Sequence, residues 1–292
     1  MIQLGKTSSH QFTPFKISQV EQILPFFECI DKSLLNFKDK RKTPSEIIYF
    51  FLRYLAGGGN LKGKAIDIDI VEFIDHMKGK KSNDKMVFAV AKQTQKMIKV
   101  KDQYSGQITP KQLEKVNKEV VKESRGKGYR NKVFWVGDIK IKRYAYKVCD
   151  ESMIGNLLHD YLNFLNDDSI DLLNRLIVGT HQFYAIHPFK DGNGRTWRSL
   201  FWFLFSNKYD EVQTLFIIFY FKLIDYEGLY LAQNELRKGR IEPFVIYWKD
   251  CIEWSFKALT FYQSTYENNK YVDINQIYQL EYWLKNEKRN AK

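Results

Sequence analysis

The 292-residue chain is long enough for one large domain or two modest ones with a full hydrophobic core. Its 44% hydrophobic and 16% aromatic content predicts a folded globular protein, and 46 Lys and Arg against 34 Asp and Glu leave a net charge of +12. Such a field attracts nucleotides, nucleic acid or acidic partners. The lysines are spread over Phe37–Lys42, Lys78–Lys81 and Lys96–Lys101 with acidic residues between these clusters, so no arm resembles a nucleic-acid-binding tail. Cys29, Cys149 and Cys251 are odd in number and far apart, which argues against a zinc site or a disulfide framework and for a reducing compartment. Met1–Lys16 is polar without an apolar signal core, and the most apolar runs, Leu200–Phe205 and Leu215–Tyr220, are too short to span a bilayer. The expectation is a cytoplasmic protein without a membrane partner.

In chain order, helical periodicity dominates and predicts a mainly α fold. Val20–Phe27 and Pro44–Leu55 carry apolar residues at spacings of three and four. The second has Thr43 placed to cap, Pro44 at the first helical position and Glu46 three residues after Thr43, and it stops at Ala56-Gly57-Gly58-Gly59-Asn60. Ile70–Met77 and Met86–Ile98 read as further helices, closing an N-terminal helical region over residues 1–105. Ser105-Gly106 marks a loop, and Thr109-Pro110 opens a helix through Val121 that ends by Gly126–Gly128. Lys132–Val136, the turn pair Gly137-Asp138 and the alternating Ile139-Lys140-Ile141-Lys142 form a hairpin signature. Helices then follow at Asp150–Leu165, Ile170–Tyr184, Arg195–Phe205, Leu229–Arg237, Pro243–Tyr262 and Ile274–Glu287. The expected division is a core domain over 106–262, with its hairpin at 129–142, and a C-terminal helical extension over 263–292.

Chemistry concentrates in His187–Arg198. A helix ends near Ile186, because Pro188 prevents its continuation, and a new one starts near Asn193–Arg195. Gly192 and Gly194 allow backbone to approach a ligand, and the unpaired N–H groups of a helix start form an anion site. Arg195 and Arg198, three apart on that helix, can clamp phosphate oxygens. Asp191 supplies a hard oxygen ligand suited to Mg²⁺, and His187 at the loop entrance can take a proton. Each feature alone is weak, whereas the combination points to phosphate chemistry.

The run His187-Pro188-Phe189-Lys190-Asp191-Gly192-Asn193-Gly194-Arg195, with Arg198, resembles the signature of the Fic (filamentation induced by cAMP) family, His-x-Phe-x-Asp/Glu-Gly-Asn-Gly-Arg-x-x-Arg. Every fixed position is met. Gly128-Tyr129-Arg130, Val133 and Trp135-Val136-Gly137 resemble the segment before and within the family's hairpin flap, and the likeness covers roughly Thr109–Lys208. The resemblance implies a Fic-type helical bundle core with a β-hairpin flap. It also implies a protein adenylyltransferase that moves AMP from ATP onto a Ser, Thr or Tyr hydroxyl of a target protein. In that scheme His187 is the base and Asp191 holds Mg²⁺. The main chain of Gly192, Asn193 and Gly194 forms the anion hole, Arg195 grips the β-phosphate region, and Arg198 contacts the outer phosphate or a regulatory carboxylate. Phe189 anchors the loop, and the flap at 129–142 holds the target by strand addition.

Two departures from the family pattern stand out. Trp197 replaces a glycine common before the last arginine, and it either narrows the pocket or packs underneath it. The inhibitory Ser/Thr-x-x-x-Glu-Gly/Asn motif has no full copy. Gly63-Lys64-Ala65-Ile66-Asp67-Ile68 stands nearest, with Asp67 in the glutamate's place. Relatives that use UTP, GTP or CDP-choline are not separated by the motif, and the missing inhibitory glutamate disfavours the alternative of removing AMP. An exposed helical face leaves room for a homodimer. Two rival readings are weaker: the His159-Asp160 pair, with His76, as an HD-type metal phosphohydrolase site, and the +12 charge as a nucleic-acid footprint, for which no helix-turn-helix stands out.

Overall fold

The computed structural model describes residues 22–35, 43–55, 68–102, 106–121, 128–136, 146–266 and 274–290. Within them the chain is built from helices: α1 (Ser45–Leu55), α2 (Ile70–Met77), α3 (Lys85–Asp102), α4 (Pro110–Val120), α5 (Ile154–Leu165), α6 (Leu172–Ile186), α7 (Asn193–Ser206), α8 (Glu211–Phe219), α9 (Tyr226–Arg237), α10 (Glu242–Tyr266) and α11 (Ile274–Asn290). Two short antiparallel strands, β1 (Trp135–Val136) and β2 (Tyr146–Lys147), are the only sheet among the described residues. The fold is the expected mainly helical core with a hairpin. The glycine stop at 56–60, the Asp67 segment, Ser105 and the run from Gly137 to Lys142 lie outside the described residues.

Helix starts follow local chemistry. Asp69 accepts the Glu72 N–H at 2.8 Å and starts α2. Thr109 and Gln112 form a reciprocal capping box ahead of Pro110 at the first position of α4. Asp171 and Asp210 cap α6 and α8 in the same way, each accepting a main-chain N–H. The start of α1 differs by one residue from the expected one. The Ile48 N–H bonds the Pro44 carbonyl, so Pro44 flanks the helix and Ser45 begins it. The expected helix over Val20–Phe27 is, in its described part, mainly a 3-10 turn at Leu24–Cys29. Pro25 in its first turn supplies no N–H, and Ile30 closes the turn on the Phe27 carbonyl.

The hairpin corrects one expectation. Val136 pairs with Tyr146 and Trp135 with Lys147, so residues 137–145 separate the strands. A two-residue turn at Gly137-Asp138 would have paired Val136 with Ile139. β1 and its partner are held instead by packing, because Tyr146 and Val148 are buried with Ala185 while Val133, Phe134 and Val136 pack on them.

The chain divides into two compact units that interleave along the sequence. One gathers Met1–Asp31, Ser105–Trp197 and Glu227–Asp250; the other gathers Lys32–Tyr104, Arg198–Tyr226 and Cys251–Lys292. In the first, α5 packs on α6 and α4 packs on α5. Asn166, just past α5, both donates to and accepts from the Ile108 backbone at 2.8 Å, which ties the loop before α4 to this pair. In the second unit α1, α2 and α3 pack together and α1 packs on α8, with Phe51 edge-on to Phe216 and Phe219. Arg53, 1% exposed, bonds Glu281 at 2.9 Å and the Ile68 carbonyl at 2.8 Å there. Among the described residues no helix is long and apolar enough to cross a membrane.

Candidate functional site

The site is assembled in the first unit by the turn between α6 and α7. His187 ends α6 in the left-handed region, at φ 45°, the only non-glycine residue with positive φ among those described. That conformation costs a side-chain-bearing residue about 1–2 kcal/mol, so surrounding bonds must impose it. Arg130 does much of this. The residue is 4% exposed, and its guanidinium donates to the carbonyls of His187 (2.8 Å), Ile186 (3.0 Å), Cys149 (2.7 Å) and Lys132 (3.1 Å). One side chain thus satisfies two of the carbonyls left over at the end of α6 and also fixes the chain on both sides of the hairpin. The Arg130 N–H bonds the Pro188 carbonyl and the Lys190 N–H bonds the Gly128 carbonyl, pairing Tyr129 with Phe189. The Tyr129 ring stacks on Phe189, 5.1 Å between centroids, and Phe189 is fully buried as the loop's anchor.

The imidazole of His187 lies edge-to-face with Phe134, 5.4 Å between centroids, with part of its rim open to solvent. Burial lowers its pKa to about 3, the Arg130 charge adds to this, and a hydrogen bond to the Tyr184 backbone opposes it. The ring is therefore neutral at physiological pH, which is the state a proton acceptor needs. Tyr146 from β2 donates its hydroxyl proton to the Tyr184 carbonyl at 2.9 Å, and the same oxygen lies 3.4 Å from His187 Nδ1. Arg237 of α9 lies over the Tyr146 ring at 4.7 Å; burial pulls its pKa down to about 9 against the opposing influence of Tyr146 and Tyr230.

Asp191 follows His187 on the same turn. Its Oδ2 bonds Arg195 at 3.0 Å, and its carbonyl accepts from Asn117 Nδ2 at 2.8 Å. Gly192 has φ 81°, and a Cβ there would fall 2.4 Å from Val121 Cγ2 and 3.2 Å from Asn117 Nδ2, so glycine is required on both conformational and steric grounds. The Gly192 carbonyl takes the first helical bond, from Thr196 at 2.8 Å, which leaves Asn193 and Gly194 at the first two positions of α7. The Asn193 side chain is committed to the loop, accepting from the Phe189 N–H at 3.0 Å and donating to the Phe189 carbonyl at 2.8 Å. What Asn193 has to offer a ligand is its main-chain N–H. Arg195 is 5% exposed, and Arg198, one turn further along α7, is also buried and falls in the second unit.

Trp197 resolves into the second of its two alternatives. It is fully buried under α7, stacked on Phe183 (5.6 Å) and edge-on to Tyr161 (6.2 Å), and its indole N–H donates to Thr180 Oγ1 at 2.9 Å. Gly179 makes the room, since a Cβ there would lie 3.1 Å from the indole. His159 and Asp160 are exposed on α5, with His159 bonded to Asn163, and no group of three His, Cys, Asp or Glu able to hold a metal occurs among the described residues.

Sequence reasoning gave no structural role to three residues of this site. Asn117 is a buried polar residue on the apolar face of α4, a placement that flags a structural partner. Arg130 enters the sequence reading only as a point of family likeness, and Tyr146 lies beyond the hairpin expected at 129–142.

One turn on a helical scaffold thus presents a neutral imidazole, a carboxylate, two glycines and a helix N-terminus together. Residues 107–205 match the Fic/DOC family model. Solved structures agree on the fold. A Fic family protein from Desulfovibrio desulfuricans G20 superposes with a TM-score of 0.60 at 13% identity, over 91% of this chain and 82% of that one. A Fic-domain-containing signaling protein from Bacteroides thetaiotaomicron gives 0.52 at 15% identity, over 82% and 94%. Fic-1 from C. elegans gives 0.53 at 17%, over 85% and 74%. Members of the family are commonly adenylyltransferases or related transferases.

Proposed function

We propose that the protein transfers AMP from ATP to a hydroxyl of a target protein, with His187 as base. The observation that carries this reading is the joining, in one turn, of an imidazole held neutral with the start of α7, where the first main-chain N–H groups have no partner within the helix. His187 would accept the hydroxyl proton as the target oxygen attacks the α-phosphorus. The bond to the bridging oxygen breaks and pyrophosphate leaves with its electron pair. The N–H groups of Gly192, Asn193 and Gly194 would hold the phosphate oxygens where charge accumulates, without reorganising. Arg195 is paired with Asp191 here and would exchange part of that contact for phosphate.

The residues fit Mg²⁺ and ATP. Asp191 is a hard oxygen donor with its side chain 25% exposed. When bound, Mg²⁺ would neutralise phosphate charge beside Asp191. The edge of the β1–β2 hairpin is the proposed seat of the target's backbone. Consistent with a partner there, Trp135 on β1 is 39% exposed.

The test is incubation of the protein and a lysate with α-labelled ATP and Mg²⁺, in parallel with His187→Ala. Covalent label on protein that disappears in the variant supports the reading; equal labelling by both refutes it. Repeating it with UTP, GTP and CTP tests the nucleotide.

A further inference from the structure

We propose that Tyr146 is the positioning residue that fixes the tautomer of His187, and that it ties the base to the hairpin. This rests on the reading of His187 as the base. The oxygen of Tyr146 carries one proton, and the 2.9 Å bond to the Tyr184 carbonyl uses it. What that oxygen turns toward His187 Nδ1, 3.4 Å away, is therefore a lone pair. Nδ1 must then carry the ring hydrogen, and the Tyr184 backbone, which also hydrogen-bonds the imidazole, makes the same demand. With Nδ1 protonated, Nε2 is left with the lone pair and is the atom able to receive a proton.

The placement of Tyr146 gives the contact a second consequence. Its backbone pairs with Val136 in the hairpin, while its ring is buried at 2% exposure beneath Arg237 and beside Tyr230. A displacement of β2 therefore moves the hydroxyl that orients the base. Of the charged groups near the imidazole, Arg130 is held by main-chain carbonyls around the turn and Arg237 is stacked on the tyrosine, so neither offers Nδ1 an acceptor. That task falls to the Tyr146 oxygen and the Tyr184 carbonyl.

The experiment is a long-range ¹H–¹⁵N correlation spectrum of the histidine-labelled full chain, with His187 assigned by the signal lost in His187→Ala. The wild type is expected to show a single neutral tautomer protonated at Nδ1. A wild-type imidazole protonated at Nε2 would overturn the proposal whatever the variants do. Tyr146→Phe keeps the ring, its burial and the Arg237 contact but removes one of the two acceptors at Nδ1, and is expected to add a minor Nε2-protonated tautomer to the Nδ1-protonated form that the Tyr184 carbonyl still favours. Its kcat for nucleotide transfer should fall roughly 10-fold while the KM for ATP stays within about 2-fold. A Tyr146→Phe spectrum identical to wild type refutes the assignment even if the variant is slower. Absence of transfer by the wild type would count against the transferase reading, and the spectrum would still decide the role of Tyr146.

Discussion

Replacing Gly192 by alanine is the sharpest structural probe of the loop. The substitution adds a side chain to a residue at φ 81° and places its Cβ 2.4 Å from Val121 Cγ2. The left-handed conformation costs about 1–2 kcal/mol for a residue with a Cβ. Forcing a methyl into packed surroundings costs about 1–3 kcal/mol more. Val121 is fully buried and lies just past the end of α4, so it has little freedom to retreat. The sum, about 2–5 kcal/mol, is to be read from the urea midpoint at unchanged slope. The two contributions separate in a double-mutant cycle. Val121→Ala removes Cγ2 and costs stability by itself, but in the Gly192→Ala background it also relieves the clash. The double variant should thus be more stable than the sum of the singles by about 1–3 kcal/mol, while the backbone strain persists. Strict additivity, or a Gly192→Ala loss below about 0.5 kcal/mol, would refute the claim that the cradle is pressed against the end of α4.

Three further predictions follow from the same contacts. Arg130→Ala removes the donor to four main-chain carbonyls and should cost about 3–5 kcal/mol in a denaturation curve, and Arg130→Lys should restore only part, since one ammonium cannot span them. The folded-state pKa of His187 lies near 3, below the ordinary 6.5, so the unfolded chain binds the extra proton. Stability should be full above pH 6.5 and decline as the pH falls towards 3; with the partly open rim screening the charge, the loss by pH 5 is about 1–2 kcal/mol, smaller in His187→Gln. For the same reason the transfer rate should show no inflection near pH 6.5, and a titration there would contradict the neutral imidazole. Trp197→Phe should lower the melting temperature through the emptied space beside Gly179 and the lost bond to Thr180, yet leave the KM for ATP unchanged, because the indole faces the core; a shift in nucleotide preference would contradict that placement.

The legibility of the sequence follows from what each signal depends on. Local chemistry was readable: the Thr109-Pro110 start of α4, the run Ile70–Met77 and the loop from His187 to Arg195 all stand where short-range rules put them. Helix α8 has no signature in the sequence because Val212–Phe219 is buried on every side, so its apolar pattern has no period. The hairpin register failed for a related reason. The alternation at Ile139–Lys142 suited a tight turn, but β2 is set by the burial of Tyr146 and Val148, which is a tertiary effect. Trp197 was ambiguous until Gly179, a residue on another helix, showed where the indole fits. The clamp by Arg130 and the bond from Asn117 to the Asp191 carbonyl span 57 and 74 residues, beyond what periodicity or spacing reports.

The central claim is that the turn from His187 to Arg195 directs attack at the α-phosphorus, and the label's position tests it most directly. Purified protein should be incubated with Mg²⁺ and ATP labelled either at the α- or at the γ-phosphate, with release of pyrophosphate followed in parallel. The expected result is α-label retained on protein in proportion to pyrophosphate released, no γ-label, and neither event in His187→Ala. Retention of γ-label, or release of phosphate without α-label on protein, would contradict it.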